Sequence, residues 1–242
     1  MRDERRTVGL LFPGEMGAAV GKGVGAEVLW ASVGRSQATA ERAAGFTDAG
    51  SVERLVGESD TILSICPPAI AEETAEQVFG LGFEGLYVDA NAISPARMRR
   101  IAGLGPRVVD GSIISATSIN LYLAGDGAEE VARLFEGSEV AAIPLDAEIG
   151  AASALKMAFG GWNKIGIALT AQAHAIAGAY GVSDRLEAEG VPADRLERFA
   201  DRAWRWAPEM EEIADMCREL GLSEGIPRGA AGFYREVGER RT

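Results

Sequence analysis

The chain has 242 residues, of which 47% are apolar, and a formal net charge of −12. That acidic balance argues against nucleic acid or an anionic membrane surface as a partner, because both attract clustered positive charge; the length allows one good core, or a core plus a smaller helical partner. Cys66 and Cys217 are too few for a disulfide scaffold, and the opening MRDERR has no apolar stretch behind it, so a reducing cytoplasm is the expected compartment.

From Thr7 to Val24 the chain reads TVGLLFPGEMGAAVGKGV. A short apolar strand (Val8 to Phe12) runs into Phe12-Pro13-Gly14, and a helix begins beside Met16 and Gly17. This is the strand-turn-helix order of a dinucleotide-binding unit: glycine at 14 and 17 lets backbone approach a pyrophosphate, and the helix amides face it. The usual fingerprint has three glycines, and Phe12 stands in place of the first. A second strand, Glu27 to Ala31, leads to Ser32 where an NAD site normally places a carboxylate, and Arg35 and Ser36 follow. A missing carboxylate with an arginine and flanking hydroxyls suits a 2′-phosphate, so NADP is expected over NAD, although Arg35 also reads as a solvated loop charge.

Further strands are expected at Thr61–Ile65, Gly85–Asp89, Arg107–Asp110 running on to Ile114, Ile119–Ala124 and Val140–Pro144. Helices start at Ser51 and at Ser94-Pro95, where proline occupies the first helical position. Such alternation implies an α/β fold, a Rossmann-type doubly wound, mostly parallel sheet with ligands at the carboxyl ends of its strands. Two of those ends stand out, Cys66-Pro67-Pro68 and Asn91. After Gly150 the strands stop and helical patterns continue, with capping boxes at Asp184/Glu187 and Asp194/Glu197. The expected domains are 1–148, binding the dinucleotide, and 149–242, smaller and all-α, joined by the long helix itself.

That helix contains GAASALKMAFGGWNKIGIALT, from Gly150 to Thr170. The chain has only three lysines, Lys22, Lys156 and Lys164, among 24 basic residues, and arginine does not release its proton inside a protein. Lys156 among Ala, Leu, Met and Phe is therefore a candidate proton carrier, since burial lowers an amine's pKa toward the working range of acid/base catalysis. The plainer reading is that it snorkels to the surface. The run carries Lys156, Asn163, Lys164, Gln172 and His174 and is no membrane span.

Taken in order, the glycine turn with Met16, Cys66-Pro67-Pro68, VDANAISP (88–95), VDGSIIS (109–115) and Gly150 with Lys156 resemble the β-hydroxyacid dehydrogenase superfamily, which includes 6-phosphogluconate and 3-hydroxyisobutyrate dehydrogenases. WASVGRS (30–36), LSICPP (63–68), AASALKMAFGGW (151–162) and WAPEMEEIA (206–214) look like its branch with the DUF1932 C-terminal segment. The resemblance implies that Lys156 is the acid/base and that Gly14, Met16 and Gly17 form the pyrophosphate turn. The family's asparagine one turn after the lysine is Gly160, but Asn163 returns to nearly the same helix face; the family's Ser-Gly-Gly substrate loop is Ile114-Ser115-Ala116.

The expected function is hydride transfer between NADP and a small β-hydroxy acid or its carbonyl form, with Lys156, Ser112 and Asn163 catalytic or substrate-orienting, Ser115 beside them, and no metal. The alternatives are an imine reductase, whose proton donor position is often acidic, and a non-catalytic NADP sensor. Plainer readings make Ser112 and Ser115 partners of strand-end backbone, Cys66 a small buried hydrophobe, His174 a packed or capping residue, and Trp204 and Trp206 core anchors. Apolar residues spread around the helix from Gly150 to Tyr180 imply burial on all sides, and with the resemblance a homodimer through this region.

Overall fold

The computed structural model describes residues 6–115, 117–193 and 206–239. It divides into two compact units, 1–156 and 157–242. Eight strands form the first unit's sheet: β1 (Thr7–Leu11), β2 (Glu27–Trp30), β3 (Thr47–Asp48), β4 (Thr61–Ser64), β5 (Leu86–Asp89), β6 (Val108–Ser115), β7 (Ile119–Ala124) and β8 (Val140–Pro144). Their order is β3-β2-β1-β4-β5-β6-β7-β8. Helices α1 (Glu15–Lys22), α2 (Gln37–Arg42), α3 (Val52–Glu58), α4 (Ala71–Gly80), α5 (Pro95–Ala102) and α6 (Ala128–Arg133) connect them.

Neighbouring core residues point to opposite faces, as the strand period of two requires. Val8, Leu10, Leu63, Val88 and Val109 pack with Val20 of α1 and Val131 of α6. Leu11, Ile62, Tyr87 and Val108 pack with Leu55 of α3, Val78 of α4 and Met98 of α5. Ser51 caps α3, its side chain accepting from Arg54 N at 3.3 Å, and Pro95 opens α5. Two details of the mostly parallel sheet were not specified by the sequence. Strand β3 is only two residues long and carries no hydrophobic alternation, so nothing local marked it. Strand β7 runs antiparallel to β6, because the few residues between Ser115 and Ile119 allow a hairpin and no crossover.

The register aligns Leu11, Ser64, Asp89 and Asp110 in one row across β1, β4, β5 and β6. Two buried carboxylates therefore lie side by side where the strands end. Asp89 accepts from Asn91 N at 3.1 Å and Asn91 Nδ2 at 2.9 Å, and burial pushes its pKa up to about 7. Asp110 accepts from Gly150 N at 2.8 Å, from Ser153 N at 3.1 Å and from Ser153 Oγ at 2.7 Å. Those donors are the first turn of α7 (Ala151–Ala179), whose amides have no partner within the helix. A carboxylate on β6 thus caps a helix forty residues away in sequence and complements its dipole.

The described part of the second unit holds most of α7, then α8 (Ser183–Ala188), α9 (Ala207–Glu219) and α10 (Gly225–Glu239). The capping box at Asp184 is not formed: α8 begins at Ser183 with Val182 as its cap, leaving Asp184 in the first turn, and Asp194/Glu197 lie outside the described residues. Nor is α7 covered all round. Met157, Ile167 and Ala177 are buried, whereas Trp162 is 70% and Leu169 67% exposed. No helix among the described residues is long and apolar enough to cross a membrane.

Asp110→Ala strips several buried donors of their acceptor and is expected to cost about 3 kcal/mol in urea unfolding; a loss within experimental error would show that the helix is held otherwise. Asp89 gives a pH dependence of defined sign. Its raised pKa means the folded chain keeps a proton that the unfolded chain releases above about pH 4, so stability falls as pH climbs toward about 7 and levels off beyond. Thermal melts of Asp89→Asn should show a flatter pH profile across that window than wild type; an identical slope would place the titration elsewhere.

Candidate active site

The row of strand ends frames the site. After β1, Phe12 takes the left-handed backbone (φ 61) and its carbonyl accepts from Gly14 N at 2.7 Å, folding the chain sharply into α1. A Cβ on Gly17 would stand 2.6 Å from Phe12 O, so that position admits only glycine. A Cβ on Gly14 would meet nothing nearer than 3.9 Å. The turn therefore packs tightly inward at Gly17 and is open outward at Gly14, beside the free amides of an eight-residue helix. Backbone donors, positive dipole and absent side chain fit a pyrophosphate. Met16 packs against the core, and Pro13 lies in the turn between Phe12 and Gly14.

Beyond β2, Arg35 N bonds Ser32 O at 3.0 Å, closing a turn. The Arg35 guanidinium lies 4.0 Å over the Phe12 ring, where partial burial lowers its pKa. The Ser36 hydroxyl caps α2 by accepting from Thr39 N at 3.3 Å and lies 3.0 Å from Thr39 Oγ1. A carboxylate is present here after all. It comes from Asp48 on β3, held below the ordinary carboxylate range by the Ser32 side chain and by Gly50 N at 2.7 Å. The sequence reading, which looked only at β2, did not place it.

Between β4 and β5, Asn91 is the tie. Its Oδ1 accepts from Cys66 N at 2.7 Å and its Nδ2 donates to Ser64 Oγ at 3.3 Å and to Asp89. Asn91 thus shapes the Cys66 loop. Burial raises the Cys66 thiol's pKa, and Thr74 and Ser64 hydroxyls lie beside its sulfur, an environment for a packed thiol and not a nucleophile. Pro67 and Pro68 follow on the surface, where Pro68 opens a single 3-10 turn and its carbonyl accepts from Arg97 at 2.8 Å.

Lys156 lies about one turn beyond the Asp110 anchor, and its Nζ donates to Ile113 O at 2.6 Å. Ile113 belongs to the part of β6 that continues past the aligned row, so the amine stands beyond the carboxyl ends of the central strands. By strand alternation Ser112 shares the Asp110 face. It is fully buried, mid-strand, and its Oγ has no hydrogen-bond partner among the described residues; Ser115 ends the strand, exposed.

In the second unit, Asn163 lies on α7 two turns after Lys156. Gly160 has a reason for lacking a side chain: a Cβ there would sit 2.6 Å from Glu209 Oε1. Glu209, on α9, pairs with Lys164, whose amine also lies 5.5 Å from the Trp206 ring centroid. Trp206 meets Tyr234 edge-on, and the Tyr234 hydroxyl donates to Lys164 O at 2.6 Å. Trp206 is a core anchor, and Trp204 lies outside the described residues. His174 Nε2 is 2.8 Å from Val191 O, a packing role. Asp48, Asp89, Asp110 and Glu209 were not singled out from the sequence. Only Asp89 and Asp110 had a local signal, each being an acidic residue at the end of an apolar strand.

Residues 177–237 match a family described as a domain of unknown function, DUF1932. Among solved structures, conserved protein MTH1747, of unknown function and described as structurally similar to 3-hydroxyacid dehydrogenases, superposes with a TM-score of 0.76 at 27% identity, over 97% of this chain and 98% of that one. The 3-hydroxyisobutyrate dehydrogenase of Mycobacterium tuberculosis with L-serine gives 0.73 at 15% identity, over 98% and 99%. An imine reductase of Myxococcus stipitatus in complex with NADP+ gives 0.61 at 21%, over 97% and 94%. No curated protein matches the sequence significantly. The eight-stranded sheet, the long helix that follows it and the DUF1932 segment together give this chain the fold of the β-hydroxyacid dehydrogenase superfamily with a DUF1932 C-terminal region.

Proposed function

We propose that the protein is an NADP-dependent oxidoreductase that interconverts a small β-hydroxy acid and its carbonyl form, with Lys156 as the acid/base. One observation carries this reading: Lys156 Nζ is held on the Ile113 carbonyl at 2.6 Å, beyond the strand ends and in the same unit as the glycine turn. The dinucleotide supplies the hydride chemistry when bound. The chain supplies position and protons. Gly14, Met16 and Gly17 with the α1 amides hold the pyrophosphate, while Lys156 takes the proton from the substrate hydroxyl in oxidation and returns it in reduction. The buried Ser112 hydroxyl and Asn163, further along α7, orient the substrate. Arg35 favours NADP; Asp48, hydrogen-bonded beside Ser32, is the feature that favours a second reading, NAD use.

Screening hydroxy acids, ketones and cyclic imines by nicotinamide absorbance tests the assignment. Lys156→Ala is expected to lower kcat by about 10²–10⁴ while leaving dinucleotide affinity nearly unchanged, and Lys156→Arg to be almost as damaging. Normal turnover of either variant would remove the lysine from the mechanism. Turnover confined to imines would favour the reductase reading, and tight NADPH binding with no turnover of any substrate would favour sensing.

The same reading includes a second copy of the chain, in the cytoplasm. Leu155, Trp162, Leu169 and Ile176 are 37%, 70%, 67% and 61% exposed and recur every two turns of α7, with Ala158, Ile165, Gln172 and Ala179 interleaved at alternating spacings of three and four. That is the seam of a paired helix, and a second α7 complements it. Light scattering at micromolar concentration should give about twice the 25.4 kDa chain mass, and Trp162→Glu should shift it toward monomer. A fully active species of single-chain mass would refute the pairing.

A further inference from the structure

We propose that Phe12 is a positioning residue for nucleotide choice: its ring holds the Arg35 guanidinium where a phosphomonoester on the adenosine ribose can be recognised. The inference rests on the NADP reading above and adds to it a residue that the glycine fingerprint does not contain. Phe12 is the only non-glycine residue among the described ones with positive φ, at 61°. A glycine occupies that region freely, whereas a bulky side chain there is strained, and such strain persists where the surroundings over-determine it. The turn itself supplies no need for a ring. Phe12 contributes its carbonyl to Gly14 N, and Gly17 makes room for that same carbonyl, functions any residue's backbone performs.

Beyond packing against the core cluster that holds Leu11, Leu29 and Leu55, the side chain meets Arg35. Strands β1 and β2 are parallel neighbours, so the loops after them are adjacent, and Arg35 Cζ lies 4.0 Å over the ring centroid. Among the described residues no carboxylate and no hydrogen bond engages that guanidinium. Asp48, the carboxylate of this corner, is turned to Ser32 and Gly50 instead. Arg35 is partly buried, so its unspent donors lie over an aromatic face rather than reaching freely into water. A ring beneath the guanidinium satisfies the cation without occupying its N–H edge. The edge stays available for the paired hydrogen bonds that a phosphate dianion accepts and a ribose hydroxyl cannot fully replace.

Fluorescence titration of NADPH and NADH, with thermal melts, tests this on wild type, Phe12→Gly, Phe12→Tyr, Arg35→Ala and the Phe12→Gly/Arg35→Ala double variant. Phe12→Gly is expected to weaken NADPH about 3- to 10-fold with little change for NADH, while its Tm reports separately the balance of relieved backbone strain against lost core packing. Phe12→Tyr should keep the wild-type ratio. The double variant should discriminate no less than Arg35→Ala alone, since the ring acts through the arginine. Retention of the ratio in Phe12→Gly, equal weakening of both nucleotides with a lower Tm, or additive losses in the double variant would overturn the proposal. Equal affinity of wild type for NADPH and NADH would instead overturn the NADP reading on which it rests.

Discussion

A single buried carboxylate ties the first turn of the helix that follows the sheet to the end of the β5–β6 pairing. Asp110 is fully buried at the point where β6 passes its neighbours, and it accepts from the backbone of Gly150 and Ser153 and from the Ser153 hydroxyl. A helix start buried without such an acceptor would leave several amides unsatisfied. Gly150, in the left-handed region at φ 104, lets the chain turn into that carboxylate. With the first turn fixed, the reach of Lys156 is short and its amine falls on the Ile113 carbonyl of the same strand. Burial raises the pKa of Asp110 while the donors oppose that rise, so the helix start offsets the cost of keeping the charge inside.

The neighbouring strand ends are organised by the same economy of polar groups. Asp89 is turned on Asn91, and Asn91 in turn grips Cys66 N and Ser64, so one amide side chain joins the ends of β4 and β5. Burial carries the Asp89 pKa up to about 7, with the neighbouring Asp110 charge adding to the rise and the Asn91 donors opposing it. One carboxylate thus meets a helix start and the other a single asparagine. The difference is set by which loop passes over each strand end.

In the second unit the constraint is a partly buried ion pair. Lys164 on α7 pairs with Glu209 on α9, and the carboxylate rests against Gly160, where any side chain would collide. Trp206 and Tyr234 close around the pair. A partly buried ion pair is weak evidence for stability, and here it joins α9 to one face of α7. The opposite face keeps its apolar stripe exposed in the single chain.

Much of this was legible in the chain because it is local. Strand positions followed from short apolar runs, the α1 turn from glycine spacing, the α3 cap from Ser51, and the singular position of Lys156 from a composition that otherwise avoids lysine. Each depends on residues within one or two turns of one another, where period and backbone preference act directly. What only the tertiary structure decided are pairings between residues far apart in sequence: Asp110 with Gly150, Asp48 beside Ser32, Arg35 over Phe12, Glu209 against Gly160. The two-residue β3 belongs with them, since it exists only as a partner for β2. Phe12 shows the limit most clearly. By itself it reads as a missing glycine, and its ring gains a partner beyond the core it packs on when parallel pairing of β1 and β2 brings Arg35 above it, because a cation–π contact is specified by distance in space and leaves no period or spacing in the sequence.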